Sequence, residues 1–394
     1  MEEKIIQVQS ALQRAGWDGW LFYDFRRSND IACEFLQIAP EALLTRRFFY
    51  WIPARGESVR VRHAIEGQAL AHLPGKELLY RSWQQYEWAI ATLLSGAQIV
   101  AMEYSPENAL PYVSKVDAGT VELVRRCGAS IVSSAELLLQ LSRLTCEQLQ
   151  SHYAAAALLD SAMIDIWGYI SSALEKRELI TEWQLQQRLK SLLEQGGAAE
   201  YEVLCAFNDH SANPHYCCEE GGAALALGDW VLIDISCRLT GSQAIWADIT
   251  RVAVADKRPT AKQQQIFSLV NSARHATLEL IRTRLEEGKV IRGYEADACC
   301  RALIEKAGYG DYFLHRTGHN LGRQLHGNGT HLDDLESHDT RPLLPASCFT
   351  IEPGIYLPGE WGVRLEWSVV ITREADLLVT DAGQEEIIAL IPLE

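Results

Sequence analysis

Four strand-like stretches of this chain carry an acid that an apolar strand does not need: "VLIDIS", "DITRV", "FTIEPG" and "VRLEWS". Successive side chains of a strand point to opposite faces. Val231, Ile233 and Ile235 therefore share one face of the first stretch, and Leu232, Asp234 and Ser236 share the other. By the same alternation Asp248 lies with Thr250, Glu352 with Thr350, and Glu366 with Arg364 and Ser368. A solvated strand face explains any one of these acids. It explains four together less well, because a buried carboxylate must be neutralised, paired or bound to metal. No run of lysines is at hand to pair them. Each acid also has a hydroxyl two residues away, which suits a support that holds a ligating carboxylate in one rotamer.

A second cluster stands out in "HRTGHNLGRQLHGNG", His315 to Gly329. It brings three of the chain's 11 histidines together in a stretch too rich in glycine to be a stable helix. Four carboxylates and one imidazole suit two divalent ions, whose charge offsets that of the acids. An oxygen-rich set with one nitrogen favours a hard or borderline ion such as manganese, cobalt or zinc. Competing chemistries lack their signatures: the chain has no HExxH, no GxSxG, no GxxxxGK[ST] and no GxGxxG.

At 394 residues the chain is too long for one ordinary core. The first part alternates short pieces: a helix in "KIIQVQSALQRAG", then strands in "GWLFYDF", "RRFFYWIP", "SVRVRHAI", "AQIVAMEY" and "ASIVSSAEL". That alternation predicts an α/β domain over residues 1–143. At Thr145 the character changes. Thr145 with Gln148, and Thr181 with Gln184, have the capping-box spacing that starts a helix. Long helices follow, interleaved with the strands "WVLIDISCRL", "DITRVAVA", "SCFTIEPGIYL" and "GVRLEWSVVIT", which predicts an α+β domain over 144–394.

The net charge of −16 repels phosphate backbones and anionic lipid, so nucleic acid and membrane surfaces are not expected partners. "AAAALLDSAMIDIWGYI" is broken by Asp160 and Asp165 and reads as an amphipathic helix, not a membrane span. The first twenty residues have charges where a secretion signal would have an apolar core. The ten cysteines form no CxxC and read as buried free thiols of a reducing, cytoplasmic setting.

Taken in order, "DIS…WADITR", "HRTGHNLG…H", "FTIEPGIY" and "GVRLE" resemble the signature blocks of the M24 metallopeptidases, the family that includes prolidase (Xaa-Pro dipeptidase) and aminopeptidase P. The 14-residue step from Glu352 to Glu366 is family-like. The resemblance implies a C-terminal pita-bread domain below an N-terminal creatinase-type α/β domain. It implies that Asp234 binds one metal, that Asp248 and Glu366 bridge two, and that His319 and Glu352 complete the ligands of the second metal. It implies a hydroxide nucleophile between the ions, a proton shuttle at Glu352, an oxyanion donor at His326, and a second pocket histidine at His215. His315 matches a frequent family histidine with no assigned chemistry. Arg341 and Arg364 are the candidates to receive the free carboxylate of a dipeptide.

In one respect the chain departs from the family pattern. Fourteen residues, not eleven, separate Asp234 from Asp248, and Ile245 stands where a tyrosine is usual. Trp246 is expected to fill part of that space.

The expected function is hydrolysis of Xaa-Pro dipeptides by a dinuclear site, most naturally with manganese, in a cytoplasmic homodimer. The alternative is aminopeptidase P action on longer proline-containing peptides. A non-catalytic pita-bread binding module and a metal-free creatinase-like hydrolase both fit poorly with five intact ligands. A methionine aminopeptidase fits poorly with the large N-terminal part.

Overall fold

The computed structural model describes residues 1–392. The chain forms two compact units, Met1–Leu141 and Ser142–Glu394, each with its own core.

The first unit contains α1 (Glu2–Ala15), β1 (Gly19–Asp24), α2 (Asp30–Phe35), β2 (Phe48–Pro53), β3 (Val59–His63), β4 (Lys76–Tyr80), α3 (Trp83–Leu93), β5 (Ile99–Met102), α4 (Ala118–Arg126), β6 (Ser130–Ser133) and α5 (Ala135–Leu141). The strands make one mixed sheet in the order β4-β3-β2-β1-β5-β6. β1 is buried on both faces and shows why. Trp20 and Phe22 pack with Val8 and Leu12 of α1, while Leu21 and Tyr23 pack with Tyr86 and Ile90 of α3. α1 stops at Gly16, whose φ of 70° turns the chain and lets its N–H close on the last turn. β4 and the helices α2–α5 do not stand out in the sequence. β4, "KELLY", is an edge strand without clear alternation.

The second unit contains α6 (Cys146–Lys176), α7 (Glu182–Gln195), β7 (Ala198–Phe207), β8 (Trp230–Leu239), β9 (Ala247–Val254), α8 (Ala261–Glu286), α9 (Gly293–Lys306), β10 (Asn320–Leu321), β11 (Ser347–Ile351), β12 (Gly354–Leu357), β13 (Trp361–Arg364), β14 (Trp367–Ile371), β15 (Leu377–Val379) and β16 (Ile388–Ala389). Both predicted capping boxes are present, and Thr260 with Gln263 makes another at α8.

Two four-stranded sheets, β16-β9-β8-β7 and β10-β11-β14-β15, are accompanied by the hairpin β12-β13. Period-two alternation holds in β8. Val231, Ile233 and Ile235 pack under α6 and α7. Trp230 and Leu232, on the other face, pack with Ile266, Phe267 and Cys300 of α8 and α9. That second face continues to Asp234.

"SCFTIEPGIYL" and "GVRLEWSVVIT", each read as one strand, are both broken at the acid. β11 ends at Ile351 and β12 starts at Gly354; β13 ends at Arg364 and β14 starts at Trp367. Pro353 brings no N–H to a ladder. Glu366 sends its N–H toward the Thr250 carbonyl of β9, 3.4 Å away. Both acids thus sit where the chain passes from one sheet to another. Among the described residues no helix is long and apolar enough to cross a membrane. The cysteines are free, but Cys146 and Cys217 are exposed, contrary to the expectation of burial.

Candidate metal centre

The β8–β9 register explains how two acids fourteen residues apart come together. Ser236 lies opposite Asp248 and Asp234 opposite Thr250, so Asp234 and Asp248 are diagonal neighbours on one face. The extra residues of "GSQAIWAD" lie in the connection beyond Leu239. Ile245, in the tyrosine's usual place, is buried in an apolar cluster with Leu149, Leu321 and Cys348, so no phenol reaches the acids from there. Trp246 is also buried and packs in that cluster. Its indole N–H has no hydrogen-bond partner.

His319 is brought in by the strand-like run that pairs with β11. Its N–H donates to Thr350 Oγ1 at 2.9 Å, and its carbonyl accepts the Thr350 N–H at 2.8 Å. Two residues earlier the Thr317 carbonyl accepts the Glu352 N–H at 2.7 Å. Buried Asp297 of α9 anchors this run through the Thr317 N–H at 2.8 Å and hydroxyl at 2.6 Å. Gly318 is forced by the close pairing, since a Cβ there would lie 2.0 Å from the Thr350 carbonyl oxygen.

The ligand atoms of Asp248, His319 and Glu366 all lie within 4.8 Å of one another. His319 Nε2 is 3.5 Å from Asp248 Oδ2 and 3.4 Å from Glu352 Oε1. Asp234 is held differently: Arg364 donates to its Oδ2. The same guanidinium donates to the Tyr356 hydroxyl at 2.9 Å and to Thr250 Oγ1 at 3.0 Å. An arginine from β13, not a lysine run, is the cation beside the acids. The hydroxyl supports are present, but only one acts within its own strand pattern. Thr350 donates to Glu352 at 2.9 Å, whereas Thr250 of β9 donates to Glu366 at 2.7 Å. Ser368 of β14 donates to the backbone carbonyl of Asp248.

Burial pushes Asp248 and Glu366 well above the ordinary carboxylate range, and the neighbouring acids add to it. Burial likewise pushes Glu352 up to about 7, against the pull of Arg364. His319 is held far below the ordinary imidazole range by burial and by neighbouring cationic groups. It is therefore neutral, with a lone pair free to bind a metal. Asp248 Oδ1 and Glu366 Oε1 are buried with no hydrogen-bond partner. Two orphaned carboxylate oxygens facing a neutral imidazole are what a divalent cation satisfies. The donor set therefore fits metal.

Around this centre the other expected residues divide. The His326 ring stands edge-on to His319, with centroids 4.4 Å apart. His326 and His215 are both exposed. Although its side chain reaches the surface, the His326 ring is partly desolvated where it packs against His319, which lowers its pKa, and the charges of Arg316 and His215 act the same way. His315 is a structural residue: its ring nitrogens meet the Arg316 carbonyl and the Tyr356 hydroxyl, each at 2.7 Å.

Arg341, expected as a carboxylate receptor, points its guanidinium at groups of its own chain. It is buried and bonded to both carboxylate oxygens of Asp339 and to the Asn328 and Gly329 carbonyls. Four of its five N–H groups are spent bracing the loop that carries His326. Arg364 is also taken up, by Asp234, Tyr356 and Thr250.

Asn320, which the sequence reading passed over, braces the same loop. Its side chain bonds the Cys348 carbonyl and the Gly329 N–H at 2.8 and 2.9 Å. A Cβ on Gly327 or Gly329 would strike this side chain, at 2.3 and 2.5 Å. These glycines make room for Asn320.

The pattern of metallopeptidase family M24 matches residues 151–373, more than half of the chain. The chain belongs to that family. A Bacillus subtilis protein named "Putative dipeptidase YkvY" is 32% identical over 263 residues, 66% of this chain and 67% of its own length. The crystal structure of dipeptidase PepE from Mycobacterium ulcerans superposes with a TM-score of 0.74 at 22% identity, covering 100% of this chain and 98% of that one. A prolidase from Thermococcus sibiricus gives 0.68 at 21%, covering 98% of each. The fold is thus α+β, with the C-terminal unit a pita-bread domain.

Proposed function

We propose that the chain is a metal-dependent peptidase that hydrolyses the bond before proline in Xaa-Pro dipeptides. The observation that carries this reading is the buried convergence of Asp248, His319 and Glu366 with two carboxylate oxygens lacking any partner. Glu352 joins the same histidine, and Asp234 completes the set once it exchanges its contact with Arg364. When bound, two divalent ions, with manganese preferred and cobalt or zinc able to serve, supply Lewis-acid polarisation of the scissile carbonyl and a water of lowered pKa.

The chain's own residues do the rest. Glu352, 3.4 Å from His319 Nε2, accepts a proton and passes it to the leaving nitrogen. His326, neutral at neutral pH, presents a ring N–H to the carbonyl oxygen as it gains charge. We assign His215 to the same pocket, because its charge acts on the His326 ring. Arg364 keeps Tyr356 and Thr250 in register.

A second reading, aminopeptidase P, gains from one observation. Arg341, the arginine expected to take a dipeptide's free carboxylate, is consumed by Asp339 and the loop carbonyls. The discriminating assay uses metal-loaded protein on Ala-Pro and on Ala-Pro-Ala. The dipeptidase reading requires cleavage of Ala-Pro with little on the tripeptide. Comparable cleavage of the tripeptide transfers the assignment to aminopeptidase P, and turnover of neither removes both. A homodimer in a cytoplasmic setting completes the proposal, and sedimentation tests the dimer.

A further inference from the structure

Outside the metal centre, one buried carboxylate gathers an unusual set of donors. Glu182, the first residue of α7, is 0% exposed. Its Oε1 accepts the Phe207 N–H at 2.7 Å, and its Oε2 accepts the Ala223 N–H at 2.9 Å and the Tyr216 hydroxyl at 2.8 Å. His210 Nδ1 lies 2.9 and 3.0 Å from the two oxygens. None of these bonds serves α7 itself, because Thr181 and Gln184 already close its first turn. All of them hold one loop. Phe207 and Ala223 bound it, and His210 and Tyr216 lie inside it.

That loop, residues 208–223, carries His215. Its backbone has one short helical turn, Asn208–Ala212, and otherwise no regular structure, so side chains must fix its path. The His210 and Tyr216 rings stack with centroids 4.4 Å apart, which locks two of the donors together. Arg364, the partner of Asp234, reaches the Pro214 carbonyl at 3.4 Å. Loop position therefore bears on both His215 and the metal-side network.

We propose that Glu182 is a positioning residue that sets His215 against the substrate by folding the 208–223 loop around its carboxylate. The proposal rests on the peptidase reading above. An apolar plug at this place would fill the space but leave the Phe207 and Ala223 N–H groups and the Tyr216 hydroxyl unsatisfied. A carboxylate is the compact group that accepts four donors at once.

The test is Glu182→Gln in the metal-loaded full chain, alone and combined with His215→Ala. The glutamine keeps the volume and removes one acceptor oxygen. Amides of 208–223 should exchange at least about tenfold faster, while those of β8 and β9 and the metal content stay unchanged. The kcat/KM on Ala-Pro should fall about 10- to 100-fold, mainly through KM. In the His215→Ala background the same substitution should cost less than about twofold, because the group it positions is gone. Equal losses in both backgrounds, or unchanged loop exchange, would overturn the proposal. If Glu182→Gln does not fold, Tyr216→Phe removes one donor without a cavity and must give the same pattern at smaller size. Wild-type protein without peptidase activity would sink the peptidase reading and the catalytic half of this one; exchange would still decide the loop half.

Discussion

Gly318 and His326 show how differently single residues matter here. At Gly318 a methyl group would meet a backbone oxygen at 2.0 Å, and a backbone carbonyl in a paired strand cannot step aside. Gly318→Ala should therefore shift the run that carries His319. We expect a loss of about 2–4 kcal/mol in stability and weaker metal binding, measured by denaturant unfolding and metal titration. Wild-type stability would show that the run can relax. His326 touches no acid and is exposed. His326→Ala should keep full metal content and lose about 10²–10³ in kcat, since a donor aimed at developing charge acts in the transition state. Near-full turnover would assign His326 to packing; loss of metal would assign it to the ligand shell.

Among elements, Asp234 and Glu366 are held by strands other than their own. The sequence pattern pairs Thr250 with Asp248 on one strand. In the structure Thr250 of β9 donates across to Glu366, at the head of β14, and accepts from Arg364 of β13. One hydroxyl thus joins three elements. Thr250→Val keeps the shape and cuts both bonds. Metal affinity should drop about 10- to 100-fold by competition titration, with the fold unchanged by circular dichroism. Unchanged affinity would mean that β14 places Glu366 without help. Strand breaks are the other feature of this scale. Glu352 and Glu366 each lie just past a strand end, where the chain leaves one sheet for another. Periodicity shows an acid on an apolar strand, but not that the strand stops there.

At the scale of the whole molecule, single buried groups pull stability in opposite directions with pH. In the first, Glu103 is buried against Trp20, Asn29 and Ser134, and burial pushes it up from 4.5 to about 7. The folded state then holds more protons than the unfolded one between those values. Stability is full below about 4.5 and is lost as pH rises through 7. In the second, His315 is lowered from 6.5 to about 3 by burial and nearby arginines. There the unfolded state holds more protons. Stability is full above 6.5 and is lost as pH falls. Raising pH from 5.5 to 7.5 should cost the first unit about 2 kcal/mol through Glu103, whereas in the second the gain of about 1 kcal/mol from His315 is opposed by Asp248, Glu352 and Glu366, which burial raises as it raises Glu103. Amide exchange of β1 and of β8 in metal-free protein reads the two units separately. A first unit that does not lose stability over this range would show that groups other than Glu103 dominate it.

The sequence by itself determined what local chemistry controls. Capping boxes at Thr145 and Thr181 opened helices because the hydroxyl and amide that satisfy the first turn are neighbours in the chain. Alternation in "VLIDIS" separated a core face from the face of Asp234 because the period of a strand is fixed. The candidate acids and His319 were legible as residue types out of place, and their order carried the family resemblance. What only the tertiary structure decided is who neutralises and holds them. Arg364 comes to Asp234 from 130 positions away, and Thr250 to Glu366 from 116. Arg341 looked suited to a substrate carboxylate until the fold closed Asp339 and two loop carbonyls around it. Asn320 and Glu182 gave no signal at all, since an amide or acid at a helix start or loop is ordinary until its partners are known. Hydrogen-bond partners far apart in sequence are set by sheet register and loop closure, and no local pattern contains them.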